Sequence, residues 1–401
     1  MKNKVACCYL THEHPKVIEE VLGNIRKSYS DLGIDIYVYD SSEGDATEKI
    51  VEKYAADGLG GLYYVSVRFI KGITGGDEKF LYVIAGNGLN GHYDYIWPTK
   101  DRCWFTGETL TDICSAIDED PDVVFVADER DRFELTTAPL KGEYTDPVEF
   151  FAGYGALTTN WEGLIRRTDT MLDPIDWDDY AARFNVGKSN NFNQTVTTFA
   201  RLAEMDRCSI RVIQNGIDDK HYSDKAASLW TSMLFDIWIG KWIPAIYSLP
   251  AIYDEYKLQV IKTQLGHVAL FGSNDSLIVM RDAGQLTDER IAQLSSMWGM
   301  ISRLPLSNLK RIVAHDEKAL FEELYEEYIR SFTEHDYEKG YYMFFQNNWL
   351  AERFAIEDYV DLGLSYYIYH SEIQKRGYSV LFEGVDSVEG LLERFRMFSK
   401  G

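Results

Sequence analysis

The segment VACCYLTHEHPKVIEEVLGNIRKSYSDLGIDIYVYD, residues 5–40, determines the predicted architecture more than any other part of the chain. Apolar runs occupy residues 5–10 and 34–39, and between them apolar residues recur at helical spacing after Pro15. Proline is favoured in the first turn of a helix, and short apolar runs bounded by turn residues are typical of buried strands. The segment therefore predicts a strand, a helix and a second strand, which is the unit from which parallel sheets are built.

The same alternation continues to about residue 128. Further strands are predicted over residues 62–67, 93–98, 123–127 and 209–213, and further helices over residues 77–89, 106–117 and 192–205, with another helix beginning at Thr47. This order predicts an α/β fold with a doubly wound, mostly parallel sheet. From about residue 225 onward the apolar periodicity is mostly helical. We therefore expect a domain of residues 1–265 followed by a mostly helical domain of residues 266–401.

Composition and charge narrow the classes of partner. With 401 residues, 45% of them apolar, the chain is long enough for two globular domains. A formal net charge of −23 argues against nucleic acid as a partner and against a polybasic membrane anchor. The five cysteines form no Cys-x-x-Cys pair, and no apolar run approaches the roughly 20 residues that span a bilayer. These features favour a cytoplasmic protein without a transmembrane segment.

Polar residues follow three of the apolar runs, at the points where parallel strands would end. The carboxyl ends of parallel strands meet at one edge of a sheet, and ligands bind in the crevice outside that edge. The residues concerned are Thr11 and His12 after the first run, Asp40, Ser41 and Ser42 after the second, and Lys100, Asp101 and Arg102 after the fourth. We therefore expect these three groups to line one crevice.

The turn after the second run, DSSEGDAT, has two interpretations. The carboxylate of Asp40 can accept hydrogen bonds from a base or from a ribose. Alternatively the turn only starts the next helix, because Asp45 and Thr47 are ordinary capping residues. Neither Gly-x-Gly-x-x-Gly nor Gly-x-x-x-x-Gly-Lys-Ser follows the first run, which disfavours a classical dinucleotide or P-loop site.

Taken together, these segments resemble the inverting glycosyltransferases of family two, which have the GT-A fold. The resemblance is carried by VACCYLTHEHPKVIEEVLGNI at residues 5–25, IYVYDSSEGDAT at residues 36–47 and YIWPTKDR at residues 95–102. It covers roughly residues 4–230. The middle segment is the most specific of the three, because both its order and its spacing fit the family pattern.

The resemblance implies a hexosyltransferase of the cytoplasm or of the inner face of the membrane. The donor would be a nucleoside diphosphate sugar, with a UDP-sugar as the first expectation, and the reaction would proceed with inversion. The acceptor would be a glycan, or a lipid-linked or protein-linked acceptor, as in polysaccharide biosynthesis. One amphipathic region is crowded with aromatic residues, namely Trp230, Trp238, Trp242, Tyr247 and Tyr253. It would suit an acceptor platform or peripheral membrane contact, although packing between the two domains is the commoner use of such residues. A homo-oligomer is also compatible with the sequence.

The resemblance also implies how the donor is held. The first turn, with Thr11 and His12, and the second turn, with Asp40, Ser41 and Ser42, would bind the nucleoside. Asp101, between Lys100 and Arg102, would lie at the diphosphate. Lys79 falls where the family often has a basic residue near the nucleotide, and the alternative is a solvated lysine on a helix surface. His221 and Lys225 are candidates to reach the diphosphate from a closing loop, and the alternative for His221 is a local hydrogen bond.

The metal site departs from the family pattern. The family offers two or three acids after the fourth strand to hold Mg²⁺ or Mn²⁺, whereas YIWPTKDR keeps one. Three interpretations are open. Asp101 binds the metal, with the diphosphate and waters completing the oxygen ligands. Lys100 and Arg102 neutralise the diphosphate directly, without a metal. Or the three charged residues form a surface cluster of small energetic consequence.

An inverting transfer also needs a base that accepts the proton of the acceptor hydroxyl. No clear match to the family's acidic pair precedes the predicted helix at residues 192–205, where the sequence is GKSNNFNQ. Asp178 and Asp179, in DPIDWDDY, are the preferred candidates ahead of Glu162. The alternative is a solvated acidic loop.

Two further functions compete with sugar transfer. A catalytically impaired subunit of the same fold would use its helical, tyrosine-rich domain for binding, and the reduced number of acids favours it. A nucleotidyltransferase of similar fold would usually show a Gly-rich, basic loop near the first strand, and the sequence has none there.

Overall fold

The computed structural model describes residues 1–336 apart from residues 71–72, 74, 87–88, 90, 129–134, 137, 140, 185, 188–189, 217–218, 224–232, 268 and 335. The chain divides into two compact units, with the division between Ile261 and Lys262. The first unit has an α/β structure, and the described part of the second unit consists of helices and their connections. Among the described residues, no helix combines the length and apolar character needed to cross a bilayer.

The helices and strands have the following bounds. Strands β1 to β10 span Val5–Thr11, Ile34–Asp40, Leu62–Ser66, Tyr95–Lys100, Cys103–Phe105, Val123–Asp128, Gly142–Tyr144, Leu164–Arg167, Ile210–Asn215 and Lys220–Tyr222. Helices α1 to α15 span Pro15–Ile25, Ser28–Leu32, Ala46–Ala56, Gly76–Ile84, Gly107–Ile117, Pro147–Tyr154, Trp177–Phe184, Asn193–Glu204, Leu234–Ile237, Ile243–Tyr247, Asp254–Leu265, Asn274–Asp282, Asp288–Ile301, Leu306–Val313 and Glu317–Thr333.

The main sheet has eight strands in the order β3-β2-β1-β4-β8-β6-β9-β7. Strands β8 and β7 are antiparallel to their neighbours, whereas the pairs β3–β2, β2–β1, β1–β4 and β6–β9 are parallel. The structure therefore confirms the predicted α/β fold class with a mostly parallel sheet. The central strands β1 and β6 are buried along their whole length, as expected for strands that are covered on both faces.

Helices cover both faces of this sheet. Ile165 of β8 belongs to a core that also includes Val21 of α1 and Ile113 of α5. The next residue, Arg166, points to the opposite face, because side chains alternate along a strand. There its guanidinium carbon lies 5.2 Å from the centre of the Phe80 ring in α4. Helices α1 and α5 thus pack on one face and α4 on the other, which is a doubly wound arrangement.

Three parts of the described strand structure were not predicted from the sequence. One is β8, which has only four residues, LIRR, and gives no alternation of apolar and polar side chains. The second is the three-residue strand β7 at the end of the sheet. The third is a separate two-stranded antiparallel ribbon of β5 and β10, each three residues long. Segments this short fall below the length at which periodicity identifies a strand.

The second unit is built from α12 to α15 in its described part. Buried side chains join these helices: the Trp298 indole donates to the Leu304 carbonyl at 2.6 Å, and the Asn308 amide donates to Asn274 at 3.1 Å. Leu294 and Ile312 are also buried. The described part of the unit is therefore a packed helical structure whose interior holds apolar side chains and some hydrogen-bonded polar groups.

Candidate functional site

The strand ends named by the sequence lie side by side. In the register of the parallel strands, Thr11 pairs with Asp40, and Leu10 pairs with Lys100. The ends of β1, β2 and β4 therefore form one continuous edge, and Asp101 follows directly at the end of β4. This is the edge at which parallel sheets present side chains to ligands.

Two further acids lie at the same edge, one at the end of a strand and one in a connecting segment. Asp128 ends β6, which runs in the same direction as β4 because the intervening β8 is antiparallel to both. Glu162 lies just before the first residue of β8, Leu164. Because β8 is reversed, its beginning rather than its end meets the carboxyl ends of its neighbours. The edge thus receives Glu162 from a connecting segment.

Asp40 is buried, and both of its carboxylate oxygens accept hydrogen bonds. Oδ1 accepts the backbone N–H of Ser42 at 2.8 Å, and Oδ2 accepts the hydroxyl of Tyr64 at 3.1 Å. Burial and the Asp40 carboxylate raise the pKa of Tyr64 to about 12, so the hydroxyl keeps its proton at neutral pH. The carboxylate of Asp40 is therefore fixed in position as an acceptor.

The turns after β1 and β2 are joined by hydrogen bonds. The backbone N–H of Glu13 donates to Ser42 Oγ at 2.7 Å, and Ser41 Oγ lies 3.2 Å from His12 Nδ1. Glu13 has φ of 55°, in the left-handed region that a residue other than glycine or asparagine rarely adopts. The two turns form one structure, which brings His12, Ser41 and Ser42 together.

Asp101 is anchored to the first turn. Its Oδ2 accepts the Thr11 hydroxyl at 3.0 Å and lies 2.8 Å from His14 Nδ1. The side chain of Asp101 is 14% exposed, so it lies at the boundary between the protein and the crevice. His14 was not among the predicted residues. The pairing with Thr11 brings the end of β4 and the turn after β1 into direct contact.

Lys79 is buried rather than solvated, which corrects the surface interpretation of this helix residue. From α4 its ammonium donates to the Thr11 carbonyl at 2.5 Å and to Ser41 Oγ at 3.0 Å. Burial lowers the pKa of Lys79 to about 8, although the nearby carboxylates of Asp101 and Asp40 oppose this shift. Lys79 therefore places a positive charge directly behind the two turns.

A buried network of charges lies beside these turns, and we call it the Glu162 network. It consists of Glu162, Lys100, Lys220, Asp128 and Tyr222. Glu162 Oε2 lies 3.0 Å from the Lys100 ammonium, and Oε1 lies 3.3 Å from that of Lys220. Lys220 also lies 3.3 Å from Asp128, and the Tyr222 hydroxyl donates to Glu162 at 2.7 Å.

The charges of the Glu162 network stabilise one another. Burial alone would raise the pKa of Glu162, but the ammonium groups of Lys100 and Lys220 hold that pKa well below its ordinary value. Burial would lower the pKa of Lys220, but Glu162 and Asp128 hold it well above its ordinary value. Glu162 and Lys220 are therefore expected to be ionised at neutral pH.

Two other predicted residues have local contacts. His221 Nε2 lies 2.9 Å from the Thr106 hydroxyl, and the ring stacks on Trp104 with 5.4 Å between ring centres. This is the local hydrogen bond that the alternative interpretation predicted. The guanidinium carbon of Arg102 lies 5.5 Å from the centre of the Tyr222 ring, next to the Glu162 network. Lys225 lies outside the described residues.

The direction of α8 shows at which edge of the sheet Asp178 and Asp179 lie, the two residues preferred as the catalytic base. At the beginning of α8, the Asn193 amide donates to Asp77 in the first turn of α4 at 3.4 Å, near the carboxyl edge. Near the end of α8, the Arg201 side chain donates to the Thr170 carbonyl at 2.8 Å. Thr170 follows β8, whose end lies at the amino edge of the parallel strands. Helix α8 therefore runs from the carboxyl edge to the amino edge.

Asp178 and Asp179 lie at the amino-edge end of this helix pair. Arg183 of α7 contacts Asp179 at 2.6 Å and Glu204, the last residue of α8, at 3.5 Å. Helix α7 therefore places its acidic first turn at the opposite side of the sheet from Asp40 and Asp101. The structure does not bring Asp178 and Asp179 to the crevice, because the reversal at β8 carries the chain to the other edge.

Several site residues were missed from the sequence. Lys220 and Tyr222 share one face of β10, whereas the singled-out His221 is on the other face, because side chains alternate along a strand. Alternation in the short KHY segment would have been the signal, but only once β10 was known to be a strand. Tyr64 and His14 are brought in by tertiary packing, and the sequence carries no spacing that indicates them.

The described side chains around Asp101 offer few free oxygen ligands to a divalent cation. Mg²⁺ and Mn²⁺ need several oxygen ligands, and Asp101 Oδ2 is already held by Thr11 and His14. Both oxygens of Asp40 are likewise engaged. The positive charge of Lys79 would repel a cation at this position. Within the described ranges, no three His, Cys, Asp or Glu side chains are grouped so as to hold a metal ion.

Comparison with known proteins gives similarity to solved structures only. No protein-family model matches the chain, and no curated protein matches it. One similar structure is S. aureus TarS 1-349 in complex with UDP-GlcNAc, which is 15% identical and has a TM-score of 0.43. The match covers 79% of this chain and 92% of that chain.

Two other solved structures are similar at the same level. The mannosyltransferase PcManGT from Pyrobaculum calidifontis, in complex with GDP-Man and Mn²⁺, is 12% identical with a TM-score of 0.41, over 80% of this chain and 88% of that chain. Glucosyl-3-phosphoglycerate synthase from Mycobacterium tuberculosis, in complex with Mn²⁺, UDP and glucosyl-3-phosphoglycerate, is 14% identical with a TM-score of 0.38, over 62% and 80%.

Proposed function

We propose that this chain is a glycosyltransferase that moves a hexosyl group from a nucleoside diphosphate sugar to a glycan, lipid-linked or protein-linked acceptor. The observation that supports it best is the joining of the Asp40 and Asp101 carboxylates through the Thr11 turn, with Lys79 behind them. This arrangement provides fixed acceptors beside fixed cations at the ligand-binding edge of the sheet. A nucleoside diphosphate needs both, because its nucleoside donates hydrogen bonds and its diphosphate is an anion.

The two ends of the crevice would take different parts of the donor. Asp40 is fully buried, and its bonds with Tyr64 and Ser42 would fix the shape of the turn beside which a base or ribose binds. The Asp101 carboxylate acts on the Lys79 ammonium, and Lys100 precedes Asp101 in the chain, so the diphosphate would lie near these two cations. The sugar would then project from the diphosphate beyond the end of β4. A UDP-sugar is the first donor to test.

Transfer with inversion forms a bond from the acceptor hydroxyl oxygen to the anomeric carbon while the bond from that carbon to the diphosphate breaks. The electron pair of the broken bond leaves with the nucleoside diphosphate, and the proton of the acceptor passes to a base. Asp178 and Asp179 lie at the opposite edge of the sheet. A carboxylate at the carboxyl edge is therefore better placed to accept this proton. The proposal is compatible with a homo-oligomer and with contact at a membrane surface, but it depends on neither.

Nucleotide binding tests the proposal directly. We expect UDP, GDP or CDP to raise the melting temperature of the full-length chain, because a ligand that binds only the folded state stabilises it by mass action. At a concentration of about 100 times Kd the stabilisation is about 2.7 kcal/mol. Differential scanning fluorimetry with each nucleotide, and with the matching nucleoside as a control, measures the shift. A chain that responds to none of them would contradict the enzyme function and favour the impaired binding subunit.

The charge of Lys79 gives the proposal a dependence on pH. Since the pKa of Lys79 is lowered to about 8, the ammonium is present below that pH and is lost as the pH rises through it. Asp101, Asp40 and Glu78 act on this ammonium. We expect the affinity for UDP to fall about tenfold between pH 7 and pH 9, which isothermal titration calorimetry can measure. In Lys79→Met this fall should disappear, and an unchanged pH dependence would contradict the role of Lys79.

A further inference from the structure

We infer that the diphosphate of the donor is neutralised by ammonium groups of the chain, with Lys100 as the principal contact, and that a divalent cation is not required. The inference rests on the proposed function, because it concerns how the same donor is bound. It replaces the interpretation in which Asp101 is a metal ligand. The structural basis is that Lys100, at the end of β4, is more exposed to solvent than the other charged members of the Glu162 network.

Lys100 is the outermost cation of the Glu162 network. Its side chain is 24% exposed, whereas those of Glu162 and Lys220 are 0% and 5% exposed. The ammonium lies 3.0 Å from Glu162 Oε2 and 3.3 Å from the Asn160 side-chain oxygen. An anion that enters from solvent therefore meets the Lys100 ammonium before it meets the carboxylate behind it.

The Glu162 carboxylate is shared between Lys100 and two other hydrogen-bond donors. Glu162 is contacted by two ammonium groups, those of Lys100 and Lys220, and by the Tyr222 hydroxyl. A single carboxylate that is divided among three donors neutralises each of them only in part. Asp128 is a second carboxylate partner of Lys220, at 3.3 Å. The network as a whole is balanced in charge, and Lys100 is its most solvent-exposed ammonium group.

Lys79 adds a second cation near Asp101. Its ammonium is held by the Thr11 carbonyl and Ser41 Oγ, so it is fixed in place. The Asp101 carboxylate accepts hydrogen bonds from Thr11 and His14 and supports the turn. Lys79 and Lys100 are the ammonium groups that the chain offers to a phosphate oxygen near this turn.

Fixed ammonium groups also suit the chemistry of the leaving group. Negative charge increases on the diphosphate oxygen as its bond to the anomeric carbon breaks. Hydrogen bonds from preorganised cations stabilise this charge without reorganisation at the moment of reaction. A lysine ammonium donates up to three hydrogen bonds, so Lys100 can keep its contact with Glu162 and still bind a phosphate oxygen. Stabilisation of the leaving group therefore uses only groups that the chain itself supplies.

The test compares nucleotide binding in EDTA with binding in Mn²⁺. Full-length chain is treated with EDTA and titrated with UDP, GDP and CDP by isothermal titration calorimetry, first in EDTA and then in MnCl₂. We expect the nucleotide that binds to have the same Kd in both, within about twofold. Binding that requires Mn²⁺ would overturn the inference while leaving the proposed function in place. No binding in either buffer would overturn the proposed function itself.

A variant identifies the contact. In EDTA, Lys100→Met should weaken binding of the diphosphate about tenfold, because one charge-assisted hydrogen bond is lost. Lys141→Met is the matched control, since Lys141 has a 69% exposed side chain in an ion pair with Asp112. The control should bind as the unchanged chain does. If Lys100→Met binds with unchanged affinity, Lys100 is not the contact; if it fails to fold, the EDTA comparison on the unchanged chain still decides.

Discussion

Glu162→Gln should lower the free energy of unfolding by about 3–5 kcal/mol, because it leaves buried lysines without their shared carboxylate. The Glu162 side chain is fully buried and contacts the ammonium groups of Lys100 and Lys220. Glutamine keeps the volume and a carbonyl oxygen but removes the charge. For a protein whose total stability is about 5–15 kcal/mol, this is a large part of the whole.

The effect should depend on pH in a defined direction. The pKa of Glu162 is lower in the folded chain than its ordinary value, so its contribution is complete above the unfolded pKa of about 4.3 and is lost on acidification. The difference between the unchanged chain and Glu162→Gln should therefore be largest at neutral pH and shrink at acidic pH. Urea denaturation at several pH values measures it, as a shift of the midpoint.

Glu52→Gln provides the comparison for this measurement. Glu52 is exposed on α3, and its replacement should change the stability by no more than about 0.5 kcal/mol. Should Glu162→Gln lose less than about 1 kcal/mol at neutral pH, the Glu162 network would not be the ionised arrangement that the distances indicate.

Asp40→Ala should reduce the affinity for the nucleoside diphosphate by between about tenfold and about a hundredfold, because hydrogen bonds to a charged acceptor are worth about 1.5–3 kcal/mol. Alanine removes the acceptor and also leaves the Tyr64 hydroxyl and the Ser42 backbone N–H without their partner. Calorimetric titration of UDP, GDP and CDP gives the affinity. Circular dichroism shows whether the fold is kept.

Asp45→Ala is the matched control for Asp40→Ala. Asp45 is in the same turn, but its side chain is 61% exposed and pairs with Lys49 at the surface. Surface pairs of this kind contribute little, so the control should bind nucleotide as the unchanged chain does. Equal losses in both variants would indicate a general effect on the turn, and the role of Asp40 in the crevice would then be rejected.

Much of the fold could be predicted because its central strands are long, apolar and separated by amphipathic helices. The runs that became β1, β2 and β6 are buried over their whole length or nearly so, and buried strands give the strongest sequence signal. β8 could not be predicted, because two of its four residues are arginines and its role depends on partners distant in the chain. Arg166 is accommodated only because α4 and α8 cover it.

The residues of the candidate site likewise fall into those that the sequence could predict and those that it could not. Thr11, Asp40 and Asp101 could be predicted from one rule, that parallel strands end at a common edge. Lys220 could not, because it depends on the β5–β10 ribbon, which pairs residues more than 100 positions apart. Asp178 and Asp179 were chosen as an acidic cluster in sequence, and only the direction of α7 and α8 shows that they lie at the wrong edge.

The reversed direction of β8 divides the crevice into two parts of different origin. Strand ends supply Thr11, Asp40 and Lys100, and these positions are tied to the register of the sheet. Glu162 instead belongs to a connecting segment that enters β8. A change in the length or sequence of that segment would alter the charge opposite Lys100 without shifting any strand. The charge that faces Lys100 therefore depends on a segment whose position is not fixed by the register of the parallel strands.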